Sequence, residues 1–113
     1  MKSHTDLPQS KKLAEFLPIK SADMCFNTHN NMPPLMTPYS RFKEFYDMEP
    51  TPAFLIPCWS LAALYSILPT FTLDSSDDKY FRIHCCNKFS EWYNNPVDAC
   101  VAMIEKLHKQ NLI

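Results

Sequence analysis

The stretch Asn-Pro-Val-Asp-Ala-Cys-Val-Ala-Met-Ile-Glu-Lys-Leu-His-Lys, residues 95–109, carries the most complete helix signature in the chain. Asn95 is a suitable N-cap, Pro96 suits the first helical position and Asp98 stands at the third. Apolar residues recur at the spacing of one helix face, and basic residues lie near the last carbonyls, where cations are favourable. We therefore predict a helix over residues 96–109 with one buried face.

The segment before this helix favours antiparallel strands. Residues 70–73 and 80–86 are rich in β-favouring side chains, and residues 74–79 between them form a polar turn. Two strands joined by so short a connection pair antiparallel. Residues 89–93 are a candidate third strand, so the predicted sheet occupies residues 70–93.

Two further helices are predicted nearer the N-terminus. Residues 59–68 have apolar positions at helical spacing, Ser60 as a natural N-cap and a proline directly after them. Residues 8–17 start after a possible cap at Asp6 and also end at a proline.

Between the first two helices, residues 27–57 are rich in proline, asparagine and large apolar side chains. We predict an irregular strap that packs on the domain. The whole chain, residues 1–113, then forms one α+β domain of two layers. Its helices pack on one face of a short antiparallel hairpin or three-stranded sheet.

The chain contains no glycine, although average usage of about 7% predicts roughly eight in 113 residues. Phosphate-binding loops, dinucleotide fingerprints, EF-hand loops and nucleophile elbows all need glycine at fixed positions. Their absence excludes these function classes. Turns must form at proline, asparagine and aspartate, for example at Asp77-Asp78 and Asn94-Asn95.

Charge and hydropathy exclude further classes. Eleven basic residues balance twelve acidic ones without a basic run, which argues against nucleic-acid binding and leaves it as a minor alternative. Residues 51–73 carry no charge and are long enough to cross a bilayer, but prolines interrupt them. A buried helix and strand explain this run better than a membrane span. Five cysteines and no export signal predict a cytoplasmic protein with reduced thiols.

The thiols and histidines are the alternative basis for chemistry. On a strand, His84 and Cys86 would share one face and Cys85 the other, but no zinc-finger spacing is present. Cys58, just before a predicted helix, could pair with a histidine as a nucleophile. Packing explains these cysteines better, so we predict no catalytic residue, metal or cofactor. A thiol- or histidine-based enzyme or metal-binding protein remains the alternative.

Aromatic residues make up 13% of the chain, more than one small core obviously holds. Aromatic side chains are enriched in the cores of protein interfaces. The alternative is that they only fix the strap to the domain. The predicted partner surface consists of Tyr39, Phe42, Phe45, Tyr46, Trp92 and Tyr93.

Four motifs resemble those of a group of small uncharacterised proteins encoded in prophages and mobile elements of gut anaerobes. They are QSKKLA (9–14), SADM (21–24), PCWSLAAL (57–64) and NPVDACVAMI (95–104). The resemblance implies an accessory protein of the bacterial cytoplasm and carries no known activity or site residue. We therefore expect a non-enzymatic protein that acts through a protein partner or self-association.

Overall fold

A computed structural model describes residues 1–29, 33–36 and 54–113. These residues form a small α+β domain, as predicted. The helices are α1 (Leu7–Ala14), α2 (Leu61–Ile67) and α3 (Pro96–Lys109), with a 3-10 turn at Ile19–Ser21. The strands are β1 (Met24–Asn27), β2 (Leu35–Met36), β3 (Leu55–Cys58), β4 (Phe71–Ser76), β5 (Tyr80–Cys85) and β6 (Lys88–Phe89).

Helix α3 has the bounds predicted for it. The Asn95 side chain accepts a hydrogen bond from the Asp98 backbone N–H at 2.8 Å, which satisfies one donor of the first turn. Val97, Met103 and Leu107 are fully buried on its inner side. This face packs against β5 and α2, so α3 joins the sheet to the other helices.

The two shorter helices begin at caps that were predicted. Asp6 and Gln9 form a reciprocal capping box at the start of α1, and the Ser60 hydroxyl accepts from Ala63 N at the start of α2. Helix α1 ends at Ala14, three residues earlier than predicted, and residues 15–17 form a turn that buries Leu17. Helix α2 is shorter than the predicted 59–68, because Trp59 precedes the extended Ser60 cap and its carbonyl instead accepts the Thr5 backbone N–H at 2.9 Å.

Strands β4, β5 and β6 form an antiparallel sheet within the predicted range 70–93. Strand β4 continues to Ser76, through residues predicted as turn, because Asp74, Ser75 and Ser76 pair with β5, and the third strand is Lys88–Phe89 instead of residues 89–93. Both turns of this sheet use left-handed residues without glycine. Asp77 and Asp78 have φ values of 52° and 56°, and Cys86 and Asn87 have values of 56° and 63°. Positive φ at both central residues is the requirement of the tight hairpin turn whose twist matches the strands.

A second sheet, in the order β2-β1-β3, differs from the irregular strap predicted for residues 27–57. Met24–Asn27 pairs antiparallel with Leu55–Cys58, almost thirty residues further along the chain. Pro57 lies within β3, which is an edge strand among the described residues, and an edge position tolerates the missing N–H of proline. Helix α1 packs against β3 and covers this sheet.

The core lies between the helices and the inner faces of the sheets. Its largest fully buried side chains include Trp59, Leu13, Leu64, Ile83 and Met103. Within residues 1–29, 33–36 and 54–113, no helix has the length and apolar content needed to cross a membrane.

Candidate protein-binding surface

The outer face of the β4-β5-β6 sheet is turned away from the core. Alternation along β5 buries Ile83 and Cys85 and places Tyr80, Arg82 and His84 on the opposite side. Antiparallel pairing then determines their neighbours, because directly opposite residues share a face. Residues opposite this outer set include Asp74 on β4 and Phe89 on β6.

Four side chains on this face form a continuous cluster, here called the Arg82 cluster: Arg82, His84, Phe89 and Trp92. The guanidinium carbon of Arg82 lies 4.3 Å from the Phe89 ring centroid and 4.5 Å from the Trp92 ring. The rings of His84 and Phe89 stack at 4.2 Å with an interplanar angle of 8°. Phe89 remains 45% exposed and Trp92 43% exposed, so both rings keep a large apolar surface in contact with water.

Arg82 is fixed in this position from the neighbouring strand. Its Nε and Nη2 groups donate to Oδ2 of Asp74 at 3.2 and 3.0 Å. Asp74 and Arg82 stand directly opposite each other in the register of β4 and β5. The carboxylate thus orients the guanidinium over the rings, and the other N–H groups of Arg82 have no protein acceptor among the described residues.

Trp92 reaches the cluster because the chain after β6 runs beside β5. Phe81 and Tyr93 exchange two backbone hydrogen bonds of 2.7 and 2.9 Å. This bridge turns Tyr93 toward the core, where it is half-buried, and places the preceding Trp92 on the outer face. Of the two residues of the predicted partner surface that the structure describes, Trp92 is therefore strongly exposed and Tyr93 is half-buried. Tyr39, Phe42, Phe45 and Tyr46 lie outside the described residues.

Sequence reasoning missed Arg82 and Phe89 as members of this surface. The available signal was the alternation of β5, which places Arg82 and His84 on the same side of a strand whose other side is apolar. To predict the position of Phe89, the length of the β5–β6 turn would have to be known, because a one-residue shift in register would move its ring to the opposite face.

Cys58 and His4 lie close together, but their geometry opposes nucleophilic chemistry. The His4 Nδ1 donates to the Thr5 carbonyl at 2.9 Å, so the nitrogen 3.9 Å from the Cys58 sulfur carries a proton and is not a base. Cys58 is fully buried, and its S–H faces the same carbonyl at 3.4 Å. Burial raises the pKa of the Cys58 thiol. Cys58 is the last residue of β3 and precedes the Ser60 cap of α2 by two residues.

The cluster of His84, Cys85 and Cys86 also differs from its predicted arrangement. Strand β5 ends at Cys85, and Cys86 is the first residue of the turn, so alternation does not extend to it. Cys85 is buried and Cys86 exposed, with their sulfurs 3.6 Å apart. Burial, together with the hydrogen bond to Cys86, raises the pKa of Cys85 to about 11. Burial raises the pKa of the core thiol Cys100 to about 12.

Within the part of the chain that the structure describes, no three His, Cys, Asp or Glu side chains are grouped so as to hold a metal ion. Comparisons of the chain with protein families, curated proteins and solved structures find no match.

Proposed function

We propose that this chain is a non-enzymatic binding protein whose outer sheet face, centred on the Arg82 cluster, docks a segment of a partner protein. The observation that carries the proposal is the pairing of two half-exposed aromatic rings with an arginine held over them. Tryptophan, tyrosine and arginine are the residues that contribute most at protein interfaces. The resemblance of its four motifs supports a role as a prophage or mobile-element accessory protein in the bacterial cytoplasm.

Preorganisation favours binding at this face. Association costs free energy for every flexible side chain that it immobilises. Here the Arg82 guanidinium is already fixed by Asp74, and the Phe89 ring by stacking on His84. A partner therefore meets side chains that are largely ordered before it arrives, and less of its interaction energy is lost in ordering them.

The charges around the cluster indicate the chemistry of the partner. Arg82 has N–H groups to spare, and the Lys106 ammonium lies at the same edge, donating to the Phe89 carbonyl at 2.9 Å. We expect an apolar or aromatic anchor with an aspartate or glutamate close beside it. A second copy of the chain fits less well, because a two-fold contact across this face would bring the Arg82 side chains together.

The test is selection of binding peptides from a random peptide library displayed on phage, with the folded chain as bait. We expect the selected peptides to combine a Trp, Phe, Leu or Ile with an acidic residue within a few positions. Affinities of synthetic peptides are then measured by calorimetry. Arg82→Ala and Trp92→Ala should each weaken binding by about 30-fold or more, as truncation of a hot-spot residue does.

Leu112→Ala is the matched control, since Leu112 is 50% exposed, follows α3 and belongs neither to the sheet nor to the Arg82 cluster. It should leave the affinity unchanged, and circular dichroism should show that all three variants are folded. Peptides that bind Arg82→Ala and Trp92→Ala as tightly as the original chain would contradict the proposal. So would a dimer, detected by light scattering, that dissociates when Trp92 is replaced.

A further inference from the structure

The adjacent residues Cys85 and Cys86 bring two thiols together at the β5–β6 turn. Their sulfur atoms are 3.6 Å apart, and neither belongs to a disulfide. We propose that this vicinal dithiol is a binding site for trivalent arsenicals, which the two sulfurs chelate through one arsenic atom. The site does not depend on a partner for the Arg82 cluster.

The backbone geometry disfavours the competing chemistry, a disulfide between the two residues. Consecutive Cα atoms across a trans peptide are about 3.8 Å apart, whereas disulfides usually span about 4.4 to 6.8 Å between Cα atoms. A disulfide would also require the sulfurs to approach from 3.6 Å to about 2.05 Å. The pair therefore stays available as two thiols.

A bridge through a single atom fits the observed separation. Two sulfurs bound at about 2.3 Å, the length of a zinc–thiolate bond, lie about 3.8 Å apart at a tetrahedral angle, and a narrower angle at the central atom brings them closer. The observed 3.6 Å lies within this range. A linear two-coordinate ion would need a separation of about 4.6 Å on the same bond length. A tetrahedral ion would need further donors. Residues 1–29, 33–36 and 54–113 contain no group of three His, Cys, Asp or Glu side chains that could hold a metal ion.

A trivalent organoarsenical needs only these two sulfurs, because its third bond goes to its own carbon. The condensation balances without an oxidant: two S–H bonds and the As=O unit become two As–S bonds, and the oxygen leaves as water with both thiol protons. Cys86 is exposed and can react first. Cys85 is only 2% exposed, so the arsenic reaches it from the Cys86 sulfur that it contacts.

The test uses phenylarsine oxide with the intact, reduced chain. Native mass spectrometry should show one phenylarsenic group per chain with the loss of two thiol hydrogens. A titration of remaining thiols should find two fewer than before. The adduct should survive an excess of a monothiol such as glutathione and be removed by a dithiol such as dimercaptopropanol. Cys86→Ser should lower the apparent affinity at least about tenfold, because chelation makes the second bond intramolecular.

Cys25→Ser is the control, because it removes a half-buried thiol of the other sheet and should leave the adduct intact. Cys85→Ser should also abolish chelation. Because this buried substitution can disturb folding, Cys86→Ser at the exposed turn position is the decisive variant, with its fold verified by circular dichroism. Unchanged arsenical binding by Cys86→Ser would overturn the proposal, as would loss of binding in Cys25→Ser or an adduct that forms only in urea.

Discussion

The Lys2 ammonium lies 2.8 Å from Oδ1 of Asp98, and so connects the N-terminal segment to the first turn of α3. The same ammonium is 2.8 Å from Oδ2 of Asp6, the cap of α1, and the Gln9 amide also donates to Asp98 at 2.9 Å. All of these groups are only partly exposed. The start of the chain therefore joins the N-terminal ends of α1 and α3 through one shared hydrogen-bond network.

Replacement of Asp98 should be costly because its carboxylate accepts hydrogen bonds from three side chains, those of Lys2, Gln9 and Asn95. We expect Asp98→Ala to lower the free energy of unfolding by about 2 kcal/mol, in the range for hydrogen bonds to charged groups. Glu105→Ala is the control. Glu105 pairs with Lys12, whose side chain is 59% exposed, and a pair of this kind contributes less than about 1 kcal/mol. Urea unfolding of the two variants measures the difference, and equal losses would contradict the role assigned to Asp98.

The contribution of this network to the stability of the fold should decrease in both strong acid and strong base. Burial raises the pKa of Asp6 and Asp98, but the bonds from Lys2 and the N–H donors more than offset this, so both values fall below 3.8. Burial lowers the pKa of Lys2, but its bonds to Asp6 and Asp98 raise it above 10.5. The carboxylates therefore stabilise the fold above pH 3.8 and lose this effect as the pH falls through their lowered values.

For Lys2 the pH dependence has the opposite sign, because its pKa is raised. Its contribution to the stability of the fold is complete below pH 10.5 and disappears as the pH rises through the raised pKa. The measurement is urea unfolding of the original chain and Lys2→Met across the pH scale. Their difference in unfolding free energy should be constant near neutral pH and shrink in strong acid and strong base. A difference that persists undiminished at pH 2 would disprove the linkage.

At position 86, cysteine should be less favourable than glycine because of the backbone conformation. Its φ of 56° lies in the left-handed region, which costs an ordinary L-residue about 1 to 2 kcal/mol. Cys86→Gly should therefore stabilise the domain by about 0.5 kcal/mol once the flexibility of glycine is subtracted. Asn87→Ala, at φ 63°, should instead destabilise it by about 1 kcal/mol. Thermal unfolding distinguishes the two, and a lower melting temperature for Cys86→Gly would contradict the prediction.

The two tryptophans should report opposite environments. Trp59 is fully buried, with its Nε1 donating to the Ser21 hydroxyl at 2.9 Å, whereas Trp92 is 43% exposed. Trp92→Phe leaves Trp59 as the reporter, and Trp59→Phe leaves Trp92. We expect acrylamide to quench the fluorescence of Trp92 several-fold more efficiently than that of Trp59. Similar quenching of both would place Trp92 in a covered site and would contradict the exposed Arg82 cluster.

Local signals in the sequence were sufficient for the elements near the C-terminus. Both ends of helix α3 were predictable because its cap, first-turn proline and apolar face agree. The pairing of β4 with β5 was predictable because the two strands are adjacent in sequence. The Ser60 and Asp6 caps were predictable for the same reason. In each case the interaction that defines the element lies within a few residues of it.

The β1–β3 pairing was not predictable in this way. Its partners are separated by a long proline-rich segment, Pro57 argues against a strand, and residues 24–27 show no alternation of buried and exposed positions. The Arg82 cluster was missed for a related reason. It joins side chains from β5, β6 and the following segment, and only the register of the sheet brings Phe89 and Trp92 to Arg82.

The turns that form without glycine have a consequence for the chain before it folds. With ten prolines and no glycine, the disordered chain has fewer backbone conformations than an average sequence of its length. Folding therefore costs less conformational entropy. The gain in stability is about 0.4 to 1 kcal/mol for each position where another residue replaces a glycine without strain. Part of the stability of this domain thus arises from the restricted conformations of its denatured ensemble, and no contact within the native fold accounts for that part.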